Sequence, residues 1–191
     1  MVIADGTYRL NPEAGELLVK TGRTGMGRRA GHDLVIEATR WQGEVTVATG
    51  KPEDSVVSVV VDVDSLEVRE GLGGVKPLTD KDRADIRKTL RDILDSETHP
   101  QIQFNSSSVT RSVASVTVEG DLTIRGETQP VAIDAEFTDD RVRGSATVVQ
   151  PRWGIKPYST FLGALKLADE VGVEFDAALV PIGGDSGAGR S

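Results

Sequence analysis

The chain has 191 residues, with 22 Lys and Arg against 30 Asp and Glu, which gives a formal net charge of −8. Binding of a nucleic-acid backbone depends on clustered basic residues, so this acidic balance argues against a nucleic-acid partner. Because there is no Cys, disulfides, thiolate nucleophiles and Cys-based metal centres are excluded. Only two His remain as possible nitrogen ligands of a metal.

Length and composition also predict the domain organisation. A chain with 38% apolar and 27% charged residues is typical of one globular domain, which we place over residues 1–182. Residues 183–191, GGDSGAGRS, have the composition of a disordered tail. The start MVIADGTYRL lacks the features of a signal peptide, and no stretch reaches the ~18 apolar residues of a membrane span. We therefore expect a cytoplasmic protein without a transmembrane segment.

Alternation of apolar and polar residues with a period of two dominates the chain, and it predicts strands with one buried face. In the segment 131–138, Val131, Ile133, Ala135 and Phe137 alternate with mostly polar residues. Similar runs lie at 7–10, 16–21, 32–39, 44–49, 56–64, 116–124, 141–148 and 171–179. Short turns join several of these runs, which favours antiparallel neighbours.

One segment between residues 78 and 100 breaks the strand pattern and predicts a helix. Thr79 is placed as its N-cap, and Asp82 is placed to return the capping bond. Before His99-Pro100 ends the pattern, apolar residues recur at helical spacing at Ile86, Leu90, Ile93 and Leu94. We expect about four turns of helix packed across an otherwise all-β domain.

The predicted fold class is all-β with one helix. We expect an antiparallel β-barrel of about eight strands, because closure hides the edges of the outer strands. The chain has only four Phe, two Tyr and two Trp, which leaves little bulk to fill such a barrel. Remaining space lined by apolar atoms would favour an apolar ligand, although a Val-rich interior also packs solid. The alternation assigns the lining to Leu17, Val19, Leu34, Ile36, Val57, Val59, Phe104, Val118, Leu122, Ile133, Phe137, Val148, Phe161, Leu165, Val173 and Phe175.

Polar residues near one end of the predicted barrel are candidates for its rim. Alternation places His32 on the face of Leu34 and Ile36, so it is either a buried neutral histidine or a residue that contacts a ligand. Arg23 lies in a Gly/Arg loop that could bind an anionic head group, although solvated loop arginines are the simpler interpretation. We name His32, Arg23 and Trp153 as rim residues for a ligand's head group. Two His without metal-binding spacing predict no metal site.

Two short motifs match known sites, but their contexts argue against both. Residues 25–30, GMGRRA, fit the dinucleotide pattern G-x-G-x-x-A, yet a predicted strand follows where that site requires a helix. Residues 184–187, GDSG, fit the nucleophile motif of serine proteases, yet they lie in the predicted tail. The sequence therefore predicts no catalytic residue.

Four segments of the chain match the patterns of one known family. The most specific is VEGDLTIRGETQPV at residues 118–131. The others are YRLNP at 8–12, DILD followed by HPQIQFNS within 92–106, and RWGI at 152–155. In their order, and over about residues 5 to 180, these segments resemble the YceI-like family, whose most specific pattern is v-x-G-x-L-T-I-x-G-x-T-x-P-V.

This resemblance implies an extended lipocalin-like barrel that holds a long apolar chain, with the polar head of the chain at the mouth. The implied ligand is a polyisoprenoid, an isoprenoid quinone or another lipid, and the implied role is that of a carrier without catalysis or any other cofactor. A homodimer is compatible with this role. The chain departs from the family at Ile93, where an aromatic residue is usual, at His99, where Tyr is usual, and in the Gly-rich segment 71–77. With GHDL at 31–34, these departures resemble a separate branch.

Two alternatives from other classes stay open. An enzyme could use the same cavity for acid/base chemistry around His32, and it predicts activity that His32→Ala abolishes without unfolding the protein. A protein-interaction module would instead have a filled core and bind its partner through the outer surface. A cavity of ~300 Å³ or more along the axis would favour a ligand-binding protein over such a module.

Overall fold

The computed structural model describes residues 3–25, 29, 31–112, 115–138, 140–160 and 165–182. Within these residues the chain forms one α-helix, α1 (Asp80–Leu94), and thirteen strands. The strands are β1 Gly6–Leu10, β2 Gly15–Thr24, β3 Asp33–Ala38, β4 Trp41–Val47, β5 Val56–Asp62, β6 Leu66–Leu72, β7 Gln101–Arg111, β8 Val116–Ile124, β9 Glu127–Thr138, β10 Arg141–Val149, β11 Ser159–Thr160, β12 Leu165–Ala178 and β13 Val180–Pro181. The predicted tail and its GDSG motif lie outside the described residues, as does most of the GMGRRA motif.

All of these strands belong to one antiparallel sheet. Its order is β13-β1-β4-β5-β7-β8-β9-β10-β12-β2-β3-β6, and β11 pairs with β12 beside this path. The sheet curls into a half-barrel around an apolar interior. The prediction of an all-β antiparallel fold with one helix is therefore confirmed.

The predicted number of about eight strands is wrong, because the described part of the chain has twelve strands along this path. The nine predicted runs correspond to β1 to β5, β8 to β10 and β12, whereas β6, β7 and β13 have no predicted run. Successive strands also have different partners, since β2 pairs with β3 while β1 pairs with β4. The predicted count is lower because β13 spans only two residues, and because β6 and β7 lack a sustained alternation of apolar and polar residues.

A buried serine holds the bend between β5 and β6. Ser65 is 0% exposed, and its hydroxyl contacts the carbonyl oxygens of Asp62 at 2.7 Å and Arg40 at 3.1 Å. On the neighbouring strand, the Thr39 N–H donates to the Ser65 carbonyl at 3.0 Å. The Asp62 N–H donates in turn to the Arg40 carbonyl at 3.1 Å. These bonds join the two bends, so both strands change direction together and the sheet curves over the interior.

Helix α1 begins with the predicted capping box. The Asp82 N–H donates to the Thr79 hydroxyl at 3.2 Å, and the Thr79 N–H donates to the Asp82 carboxylate at 2.8 Å. The helix ends at Leu94 rather than near His99, because Asp95 adopts a left-handed conformation with φ of 51°. Its apolar face packs against the interior through Ile86, Leu90 and Leu94. Among the described residues, no helix is long and apolar enough to cross a membrane.

Candidate functional site

An apolar cavity of about 520 Å³ lies between the curled sheet and helix α1. This volume falls within the ~300 to 1,000 Å³ that is usual for small-molecule sites. Strand residues form most of its wall, because every second side chain of a strand points to the same face of the sheet. A cavity of this size contradicts a filled core and so argues against the interaction-module alternative.

The structure places most of the predicted lining residues on the cavity wall. Phe161 lies outside the described residues, and so does the side chain of Leu165. The other fourteen all line the cavity: Leu17, Val19, Leu34, Ile36, Val57, Val59, Phe104, Val118, Leu122, Ile133, Phe137, Val148, Val173 and Phe175. Their contact with a ligand stays a prediction.

The wall also contains residues that the strand pattern did not assign to it. Helix α1 and the segment before it contribute Leu78, Ile86, Leu90, Ile93 and Leu94. Their helical spacing identified an apolar face, but periodicity does not tell which surface that face covers. Further strand positions on the wall are Leu10, Ala38, Trp41, Val45, Val61, Leu66, Ile102, Val131 and Val142. The same alternation could have found several of these.

Arg23 is a lining residue at the end of β2, and an acidic partner holds its side chain in place. Its Nε donates to Oδ1 of Asp33 at 2.8 Å, and its Nη2 donates to Oδ2 of Asp33 at 3.0 Å. Its Nη1 donates to the carbonyl oxygen of Gly31. The Arg23 side chain is 17% exposed and the Asp33 side chain is 39% exposed, so Arg23 is the more shielded partner of this bidentate ion pair. Arg23 is neither a solvated loop arginine nor an open cation.

His32 also lines the cavity, and it is bonded to the Gly-rich segment 71–77, which we call the strap. The Nε2 of His32 lies 2.8 Å from the carbonyl oxygen of Lys76, and a carbonyl only accepts, so Nε2 carries the proton. Gly73 and Gly74 have φ of +74° and +76°, a region that favours glycine. A Cβ on Gly73 would lie 2.8 Å from Nη2 of Arg23, and one on Gly74 would lie 2.6 Å from Cε1 of His32. The strap therefore passes closely over both side chains.

Trp153 does not lie at the rim, so this part of the prediction is wrong. The side chain is 1% exposed, and its Nε1 donates to the carbonyl oxygen of Leu122 at 2.9 Å. A short 3-10 turn, Gln150–Trp153, follows β10 and directs the indole away from solvent. The indole packs in a second buried cluster with Ile124, Val131, Val148 and Ile155. Trp153 thus supports the wall without forming part of it.

Several polar side chains on the wall already have protein partners. Thr21 accepts a hydrogen bond from the Leu34 N–H at 3.0 Å, and Gln150 donates to the Ala168 carbonyl at 3.0 Å. Asp85 forms an ion pair with Lys81 at 2.7 Å. In the described part of the chain, no group of three or more His, Cys, Asp or Glu is arranged to hold a metal ion. The arrangement suits the enclosure of a hydrocarbon.

Comparison with known proteins identifies the family. BcnA from Burkholderia cenocepacia superposes with a TM-score of 0.60 at 19% identity, covering 85% of this chain and 94% of BcnA. A YceI protein from Campylobacter jejuni superposes with a TM-score of 0.57 at 11% identity, covering 78% and 84% of the two chains. These likenesses show the fold, and no curated protein sequence matches the chain. Because the model of the YceI-like domain matches residues 8–179, the chain belongs to the YceI-like family.

Proposed function

We propose that the protein binds a long apolar ligand in this cavity and does not transform it. The observation that carries the proposal is the wall, which surrounds about 520 Å³ of space mainly with aliphatic and aromatic side chains. The YceI-like family is known for binding hydrophobic ligands, which supports the same role here. The ligand class that we propose is a polyisoprenoid or an isoprenoid quinone.

A free-energy balance gives the size of such a ligand. Binding with a micromolar Kd requires about 8 kcal/mol. The translational and rotational freedom that protein and ligand lose on binding costs at least about 4 kcal/mol more. At about 25 cal/mol for each Å² of apolar surface removed from water, the ligand must bury roughly 500 Å². A chain of many carbons buries that area, whereas a molecule of solvent size does not.

Native mass spectrometry before and after organic extraction tests the proposal. We expect the extract to contain a species with the mass of a prenyl compound or another lipid. The emptied protein should then bind geranylgeraniol with a change in tryptophan fluorescence, because Trp41 lies on the wall and Trp153 does not. Trp41→Phe is the control, and it should remove the signal while binding is retained by mass spectrometry. A protein that carries no lipid and binds no prenyl chain would contradict the proposal.

The same preparation separates a carrier from an enzyme. Incubation of the wild type with the extracted ligand should return that ligand chemically unchanged. His32→Ala should then alter only the affinity, because it removes the bond from His32 to the strap. Conversion of the ligand by the wild type, lost in a folded His32→Ala variant, would instead support acid/base catalysis.

A further inference from the structure

We infer that the cavity selects ligands whose end group is uncharged. This inference rests on the proposed function, and it concerns the chemistry of the ligand's polar end. Within the described residues, the charged side chains on the wall are Arg23 and Asp85. Each of them is already paired with a residue of opposite charge.

Arg23 is the cation that a carboxylate or phosphate head group would need. Its three nitrogens donate to the two carboxylate oxygens of Asp33 and to the carbonyl of Gly31. The close approach of Gly73 to Nη1 and Nη2 covers the guanidinium from the strap side. An anionic head group would therefore have to compete with Asp33, a carboxylate that is fixed in the chain and already aligned with Arg23.

The other groups near Arg23 do not favour an anion either. Asp85 lines the same cavity and is itself negatively charged. His32 uses its Nε2 proton for the carbonyl of Lys76. An ionised head group that enters the cavity thus loses water without gaining a cation, whereas a hydroxyl or a quinone carbonyl loses far less.

Two ligands with the same chain and different ends test this inference. Geranylgeraniol is uncharged, and geranylgeranoic acid is ionised at neutral pH. We expect the wild type to bind the alcohol at least about tenfold more tightly than the acid, as titrations of the extracted protein would measure. The methyl ester of the acid should bind like the alcohol, because it has the same chain without the charge.

Asp33→Asn tests the role of the ion pair. The variant leaves Arg23 without a neutralising carboxylate, so its affinity for the acid should rise at least about tenfold while its affinity for the alcohol stays the same. Glu16→Gln is the matched control, because it breaks an ion pair with Arg69 on residues that do not line this cavity. If Asp33→Asn unfolds, the affinities of the wild type for acid, ester and alcohol still decide whether the cavity selects an uncharged end group.

The possible results separate this inference from the proposed function. If the wild type binds the acid as tightly as the alcohol, the selectivity is overturned while the proposed function stands. If a folded Asp33→Asn variant gains no affinity for the acid, the ion pair is not the cause of the selectivity and the inference fails. If neither ligand binds the wild type, the proposed function itself fails.

Discussion

Replacement of Gly144 by Ala tests whether the position of the Phe175 ring, which forms part of the cavity wall, depends on the absence of a side chain at Gly144. A Cβ at this position would lie 2.8 Å from Cε1 of Phe175 and 2.6 Å from the carbonyl oxygen of Asp134. Ordinary contacts of a Cβ lie at 3.4–4 Å, so the ring or the neighbouring strand must move. Overpacking of this kind costs about 1 to 3 kcal/mol, and we expect Gly144→Ala to lower the free energy of unfolding by about 2 kcal/mol.

A double-mutant cycle with Phe175→Leu divides this loss between the two contacts. Leu removes the ring contact but leaves the carbonyl contact, so Gly144→Ala should cost only about 1 kcal/mol in the Phe175→Leu background. Urea denaturation gives both values from the shift of the midpoint at an unchanged m-value. Gly172→Ala is the matched control, because a Cβ there would meet nothing within 4 Å. An equal loss in both backgrounds would refute the reasoning, since the ring would then play no part.

Two further changes concern the strap and the helix. Gly74→Ala should move the strap off His32, lower the free energy of unfolding by about 1 to 2 kcal/mol, and speed the dissociation of geranylgeraniol in stopped-flow measurements. An unchanged rate would show that the strap does not retain the ligand. Thr79→Ala should cost about 1 kcal/mol through loss of the N-cap. Hydrogen bonds from Thr79 lower the pKa of Asp82, so the stability lost in Thr79→Ala should be full at neutral pH and should shrink as the pH falls through that lowered pKa. Thermal unfolding of both proteins at about pH 7 and about pH 2 measures this difference. A loss of stability that is independent of pH would contradict the prediction.

Period-two alternation predicted the strands and much of the cavity wall because both depend on the same geometry. Leu34 and Ile36 lie two residues apart on β3, and both face the cavity. The bend at Ser65 was not predictable in this way, since a serine after an alternating run does not reveal that it is buried and bonded to the carbonyl of Arg40. Strands β6 and β7 were missed because the alternation in LEVREGL and QIQFNSSSVTR stops after two apolar positions in each.

The three residues named for the rim were predicted only in part, because their side chains are placed by partners that lie elsewhere in the chain. Arg23 was identified as a rim residue, but no local pattern indicated that Asp33 on the next strand would neutralise it. His32 was placed on the inward face, whereas its bond to Lys76 joins residues 44 positions apart. Trp153 was misplaced because the composition of a turn does not reveal the direction in which its indole points.

The scarcity of large rings explains why the interior of this sheet remains open. Phe104 and Phe175 line the cavity, and each lies against a glycine, Gly120 and Gly144 respectively. This close approach keeps the two rings near the sheet, where they thicken the wall and leave the centre clear. Most other strand positions on the wall carry Val, Leu, Ile or Ala, whose side chains are shorter than an aromatic ring system. A curled sheet of this width fills only when long side chains reach its axis. The same composition that removes thiol chemistry therefore leaves room for a ligand.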